Sequence, residues 1–293
     1  MKTIKHTFAA IVFFAAIALL GTAQAQINLL EPPQVADTNP LLRTTGPNTV
    51  GKGHLQLSGA ATWYSLSGDR EVPINGSHTV SIHDTYRDLG GGLTLRYGLG
   101  HRFELMAGLS GAYTRYHYTF SSGEFSDTLP MLNPMLGVKM LIYEGGLGWV
   151  PQVSASLVYS HQLVKYSNSD WDTPGGGFFT ALGFQFRNHL GSRWVLDYGL
   201  SYAFGKDRLL GTNTVYARQS DKPFQFNIMA RWLATDRLMI SAGMENVGGV
   251  AEVMWQATPA LQLKAQAGLA AGVGFRTGML ETNALLGVNW MLK

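Results

Sequence analysis

The chain has 293 residues, 22 Lys+Arg against 19 Asp+Glu, and no cysteine. Charged residues make up only 14% of it, against roughly 25% in ordinary soluble domains, while hydrophobic residues reach 46% and glycine occupies 35 positions. These figures exclude a disulfide framework, a thiolate metal centre, a cysteine nucleophile, a basic nucleic-acid-binding stripe and an intrinsically disordered chain.

The N-terminus carries Lys2 and Lys5, then an apolar run from Phe8 to Leu20, then the small-x-small triplet Ala23-Gln24-Ala25. That order predicts a cleaved signal peptide over residues 1–25. The run is too short for a membrane helix, which needs about 18 apolar residues or more. Residues 26–50 contain Pro32, Pro33, Pro40 and Pro47, so they cannot form a central strand. They are expected either to enter a lumen from below as a plug or to hang in the periplasm.

From residue 51 onward apolar and polar side chains alternate, and roughly twelve segments follow this period of two. They run over about 53–64, 84–98, 102–119, 131–143, 149–163, 176–188, 193–204, 223–233, 237–246, 250–257, 260–270 and 279–292. The late segments are the clearest. Phe224, Phe226, Ile228, Ala230 and Trp232 oppose Gln225, Asn227, Met229 and Arg231. Leu261, Leu263, Ala265, Ala267 and Leu269 oppose Gln262, Lys264, Gln266 and Gly268. Connections alternate in length. Short ones fall at Gly98–His101, Glu144–Gly148, Asn188–Ser192, Ala234–Asp236 and Thr258–Pro259. Longer polar stretches fall near Ser65–Ser81, Phe120–Pro130, Lys165–Gly175 and Gly205–Lys222.

An even strand count with short turns at one end and long loops at the other is the pattern of outer-membrane barrels. The aromatics agree. Tyr97, Phe103, Tyr143, Trp149, Phe186, Trp194, Trp232, Trp255 and Trp290 all lie near a short turn or the chain end, where a ring at the membrane interface is favoured. Tyr64, Tyr116, Tyr118, Tyr159, Phe178, Tyr202 and Phe224 are expected in the opposite ring. The sequence therefore predicts an all-β fold: a transmembrane antiparallel up-and-down β-barrel of about 12 strands over residues 51–293, in the outer membrane of a Gram-negative cell. Its partners are then membrane lipid, a small-molecule solute and, during assembly, the barrel-insertion machinery.

The segment Thr49-Val-Gly-Lys-Gly-His-Leu-Gln-Leu57 and the ending Gly287-Val-Asn-Trp-Met-Leu292 resemble the first and last strands of the outer-membrane transporters named for the meta-pathway of phenol degradation. The resemblance implies a barrel proposed to carry small, often aromatic, molecules and offers no catalytic residues to carry over; a passive channel needs no cofactor.

Enzymatic alternatives turn on particular residues. A barrel lipase would commonly place His-x-Ser on one strand face, and no histidine after the signal has a serine two places on. His78, His83 and Asp84, with Asp69 and Glu71, gather near the first long loop and are expected there as solvated loop residues. The expectation is a non-enzyme: a passive channel, with a loop-mediated adhesion barrel and, third, a lipid-modifying enzyme as alternatives. The polar faces assign Arg96, Glu104, Lys139, Arg187, Asp197, Arg231, Glu245, Glu252, Lys264 and Glu281 to the lumen. Arg231 is expected to pair with Glu245, and Glu252 with Lys264.

Overall fold

Period-two patterning becomes continuous backbone pairing. The structure, a computed structural model, describes residues 46–74, 78–120, 123–145, 149–161, 163–165, 171–172, 178–205, 224–245, 248–271 and 280–292. The expected signal peptide, most of the segment before the barrel and nearly all of the expected loop Gly205–Lys222 lie outside these residues.

Fourteen strand segments follow one another: β1 (Leu55–Ile74), β2 (His78–Gly98), β3 (Phe103–Phe120), β4 (Gly123–Tyr143), β5 (Gln152–His161), β6 (Leu163–Lys165), β7 (Trp171–Asp172), β8 (Phe178–His189), β9 (Trp194–Gly205), β10 (Phe224–Thr235), β11 (Leu238–Glu245), β12 (Gly248–Thr258), β13 (Leu261–Ala271) and β14 (Leu280–Leu292). The short β6 keeps the β4 register past the end of β5 and pairs with β7, so the β5–β6 and β7–β8 runs each act as one strand. The result is a closed 12-strand antiparallel barrel in which each strand pairs with its sequence neighbours. The circle shuts where β1 pairs with β14, from Leu55↔Leu292 to Ser67↔Leu280. Closure leaves no unpaired edge, the condition for a sheet to sit in lipid.

The facing follows the sequence pattern. On β10, Phe224, Phe226, Ile228 and Trp232 are exposed while Met229, Arg231 and Leu233 are buried. Leu93, Leu95, Leu105, Leu109, Leu136, Ile240, Leu263 and Leu286 continue the exposed apolar belt around the barrel. Water would penalise so much contiguous apolar surface, whereas acyl chains accommodate it. Near the short turns, Trp194 and Trp232 oppose each other across β9 and β10 with ring centroids 6.1 Å apart. Trp255, Trp290, Tyr97 and Phe103 are also exposed at that level.

Two expectations are corrected. Ser65–Ser81 and Phe120–Pro130 are largely strand rather than loop: β1 and β2 pair as far as Ile74↔His78, and β3 and β4 as far as Phe120↔Gly123. These hairpin arms rise beyond the apolar belt, so the ladder continues after the hydrophobic alternation has ended. β2 and β4 reach 21 residues, while about 9–11 suffice to cross a bilayer. β11 has only 8, so the wall is tall on one side and low on the other. Tyr64 does not join the outer ring. It is buried with its ring edge-on to Tyr86 at 5.5 Å, and its neighbour Trp63 takes the outward position.

At the short-turn end the strands finish in a repeated device. The β10–β11 and β12–β13 ladders slip by one residue, at Leu233/Thr235 and Gln256/Thr258, just before the turns. Such bulges sharpen the twist where a barrel strand ends. Thr258 Oγ1 accepts the backbone N–H groups of Ala260 (3.3 Å) and Leu261 (3.1 Å), closing the Pro259-Ala260 turn.

Candidate functional site

Inward positions a few residues above the short turns carry most of the barrel's buried charge. The β2–β3 turn brings Arg96 beside Glu104, and the guanidinium binds both carboxylate oxygens, Nε to Oε1 at 2.9 Å and Nη2 to Oε2 at 2.8 Å. The β8–β9 turn does the same for Arg187 and Asp197, with both bonds at 2.7 Å. Asp197 also accepts from Arg231 Nε at 2.6 Å. Arg231 reaches on to Glu252 and, at 3.2 Å, to Ser241 Oγ. Lys264 Nζ completes the chain at 2.5 Å from Glu252. Bidentate, charge-assisted bonds are among the strongest hydrogen bonds available. Burial of this many ions is tolerated because each charge has an opposite one in contact.

Lys139 faces the same space and is held differently. Its ammonium donates to the backbone carbonyls of Gly46 at 2.7 Å and Asn48 at 2.9 Å. Arg96 Nη2 also donates to the Asn48 carbonyl, and Gln152 Nε2 to the Asn48 Oδ1. Glu104 Oε2 accepts the Val50 N–H at 2.7 Å. The segment before β1 therefore lies against the belt, with Val50 buried. Gly46 has φ +61°, and a Cβ there would fall 2.5 Å from the Arg187 guanidinium. Only glycine meets both demands.

On the short-turn side of the belt, Val195, Leu233, Met239 and Met254 pack into a buried apolar layer. Each is the next inward residue after Asp197, Arg231, Ser241 and Glu252 respectively. Gln262 Nε2 donates to Gln256 Oε1 at 2.6 Å beside it. Polar belt and apolar layer follow one another along the inner face towards the short turns.

Of the ten residues assigned to the lumen from sequence, eight converge here: Arg96, Glu104, Lys139, Arg187, Asp197, Arg231, Glu252 and Lys264. Glu245 and Glu281 do not. Glu245 ends β11 opposite Asn227, and Glu281 opens β14 opposite Leu66, both at the far end of the barrel. The expected Arg231–Glu245 pair is thereby corrected. The register sets Ser241 against Arg231, and Glu245 stands four residues further along. The Glu252–Lys264 contact is present. Sequence reasoning missed Ser241 and Gln152, and for the segment that holds Gly46–Val50 it left a plug and a free periplasmic stretch open without naming any partner. Among the described residues no group of three or more His, Asp or Glu comes together as a metal site.

A closed barrel with an apolar exterior and a charged interior is the fold of outer-membrane β-barrel channels. Solved structures share that fold. The chain is similar to the COG4313 outer membrane channel from Pseudomonas putida F1 at TM-score 0.51 and 16% identity, covering 83% of this chain and 97% of that one. It is similar to the transport unit of the autotransporter AIDA-I from Escherichia coli at TM-score 0.51 and 12% identity, covering 92% and 97%. At such identities the likeness is one of fold. No family profile and no curated protein matches the sequence.

Proposed function

We propose that the chain is a passive outer-membrane channel for small solutes, exported by way of residues 1–25 and inserted by the barrel-assembly machinery of a Gram-negative cell. The observation that carries the reading is the inverted facing: an apolar outside around an ion-lined inside, in a barrel of intermediate size. About eight strands leave an interior just filled by side chains, and 16–18 leave an open water channel. Twelve strands suit a constricted path. The resemblance of the first and last strands to the phenol meta-pathway transporters favours small hydrophobic or aromatic solutes. The residues from Gly46 to Val50 act in this reading as a stopper at the short-turn end, which faces the periplasm.

The belt sets the selectivity. Arg96, Arg187, Arg231 and Lys264 face Glu104, Asp197 and Glu252, so the belt carries a net positive charge before Lys139 is counted. Planar-bilayer recordings should show conductance with a preference for anions. Replacing Arg231 and Lys264 together by Gln should move the reversal potential towards cations. A barrel that folds but never conducts would overturn the channel reading, and unchanged selectivity would remove these two residues from the path.

A further inference from the structure

On the outer surface of the β1–β2 hairpin, above the apolar belt, three side chains meet in an order that the channel does not use. Asp69 and His83 stand directly opposite each other across the two strands, and His83 Nδ1 lies 2.7 Å from Asp69 Oδ1. The other ring nitrogen, Nε2, lies 3.3 Å from Ser67 Oγ. Ser67 Oγ is also 3.5 Å from the hydroxyl of Thr85, its cross-strand partner. All four residues share the outward face with the exposed Trp63 and Leu89. Ser67 lies four positions above Trp63, about 13 Å further along the strand at ~3.3 Å per residue.

We propose that Ser67, His83 and Asp69 form a hydrolytic triad acting on a carboxylic ester presented at the outer membrane surface. The carboxylate holds the imidazole with its Nδ1 proton directed at Asp69, which leaves Nε2 free to accept the Ser67 proton. Ser67 Oγ attacks the ester carbonyl carbon as His83 takes that proton. The tetrahedral intermediate collapses, the C–O bond to the alcohol breaks, and His83 protonates the departing alkoxide. A water molecule, deprotonated in turn by His83, then attacks the acyl-serine and releases the carboxylic acid and free Ser67. Both strands spend their backbone N–H groups in the ladder, so the donor for the developing oxyanion must be a side chain. The Thr85 hydroxyl is placed for this. Arg87, opposite Ser65 and diagonal to Ser67, is within reach of a long side chain. The position two outward rows above Trp63 suits a lipid acyl ester, and the same chemistry would also cleave a small soluble ester.

The contacts run across the hairpin, so no His-x-Ser spacing marks this arrangement in the sequence. The proposal is independent of the channel reading.

The test uses the full-length protein in detergent micelles with an alkyl fluorophosphonate, followed by intact-mass and peptide analysis. One adduct is expected, on Ser67. It should vanish in Ser67→Ala and form about 10²-fold more slowly or worse in His83→Ala. Asp69→Asn should lower kcat for p-nitrophenyl butyrate with little change in KM, as a positioning residue does. Phosphatidylcholine vesicles offered in parallel separate the two ester sources: cleavage of vesicle lipid identifies a membrane ester, and cleavage of the butyrate alone a soluble one. Unheated gel mobility confirms that each variant is a folded barrel. If the folded wild-type protein labels no faster than Ser67→Ala, or hydrolyses neither ester above that variant, the triad is not catalytic and the proposal fails.

Discussion

Asp197→Ala should lower the stability of the folded barrel by about 3–5 kcal/mol, the usual result of removing one partner from a buried ion pair. Asp197 is shared, by two bonds from Arg187 and one from Arg231, so its loss takes the common counter-ion from two buried guanidinium groups at once. Denaturant unfolding in lipid vesicles, followed by tryptophan fluorescence, measures the change. The surface pair Arg102–Glu144 is the control. Its side chains are 56% and 53% exposed, and Arg102→Ala should cost less than about 1 kcal/mol because water screens the pair. If the two variants lose the same stability, the belt does not act as a buried network.

Gly46→Val should raise single-channel conductance severalfold. A branched side chain disfavours the positive φ of +61° at Gly46, and its Cβ would intrude on the Arg187 guanidinium. Displacing the turn also withdraws the two carbonyls that Lys139 binds. Deletion of residues 26–48 should reproduce the increase. Conductance that stays at the wild-type level in both variants, in barrels that run as folded on unheated gels, would mean that the segment does not obstruct the path.

Much of the barrel was legible because lipid imposes a rule that each residue must obey. Within the apolar belt every second side chain is apolar, so the facing of β9, β10, β13 and β14 could be read directly, and with it the inward placement of Asp197, Arg231 and Lys264. Above the belt the outward positions turn polar, as at Ser67, Asp69 and His83. Ser65 to Ile74 and His78 to Asp84 then look like loop although their backbones pair. Tyr64 and Trp63 show the same limit: two adjacent aromatics do not reveal which one faces out, and the small residues around them give no alternation to decide it. Partner choice inside the belt depends on register. One bulge or one turn length determines whether Arg231 meets Ser241 or a residue further on, and composition is silent on that. Gly46–Val50 was hardest to foresee, because its contacts with Lys139 and Gln152 span about ninety residues or more of chain and follow no periodicity.

The pairing of β1 with β14 makes the cylinder a loop with a zipper, drawn shut by its two most distant strands. Residue 55 pairs early with Tyr97 of β2, but its other side has no mate until residue 292 exists, so the last row of ladder bonds can form only after every other strand has been made. Until then two raw strand borders stay open to any neighbouring sheet, and the entropy of bringing such remote ends together is met in one late step. Trimming the final strand would therefore do more than shorten the wall, because it would leave a sticky cleft running its full height.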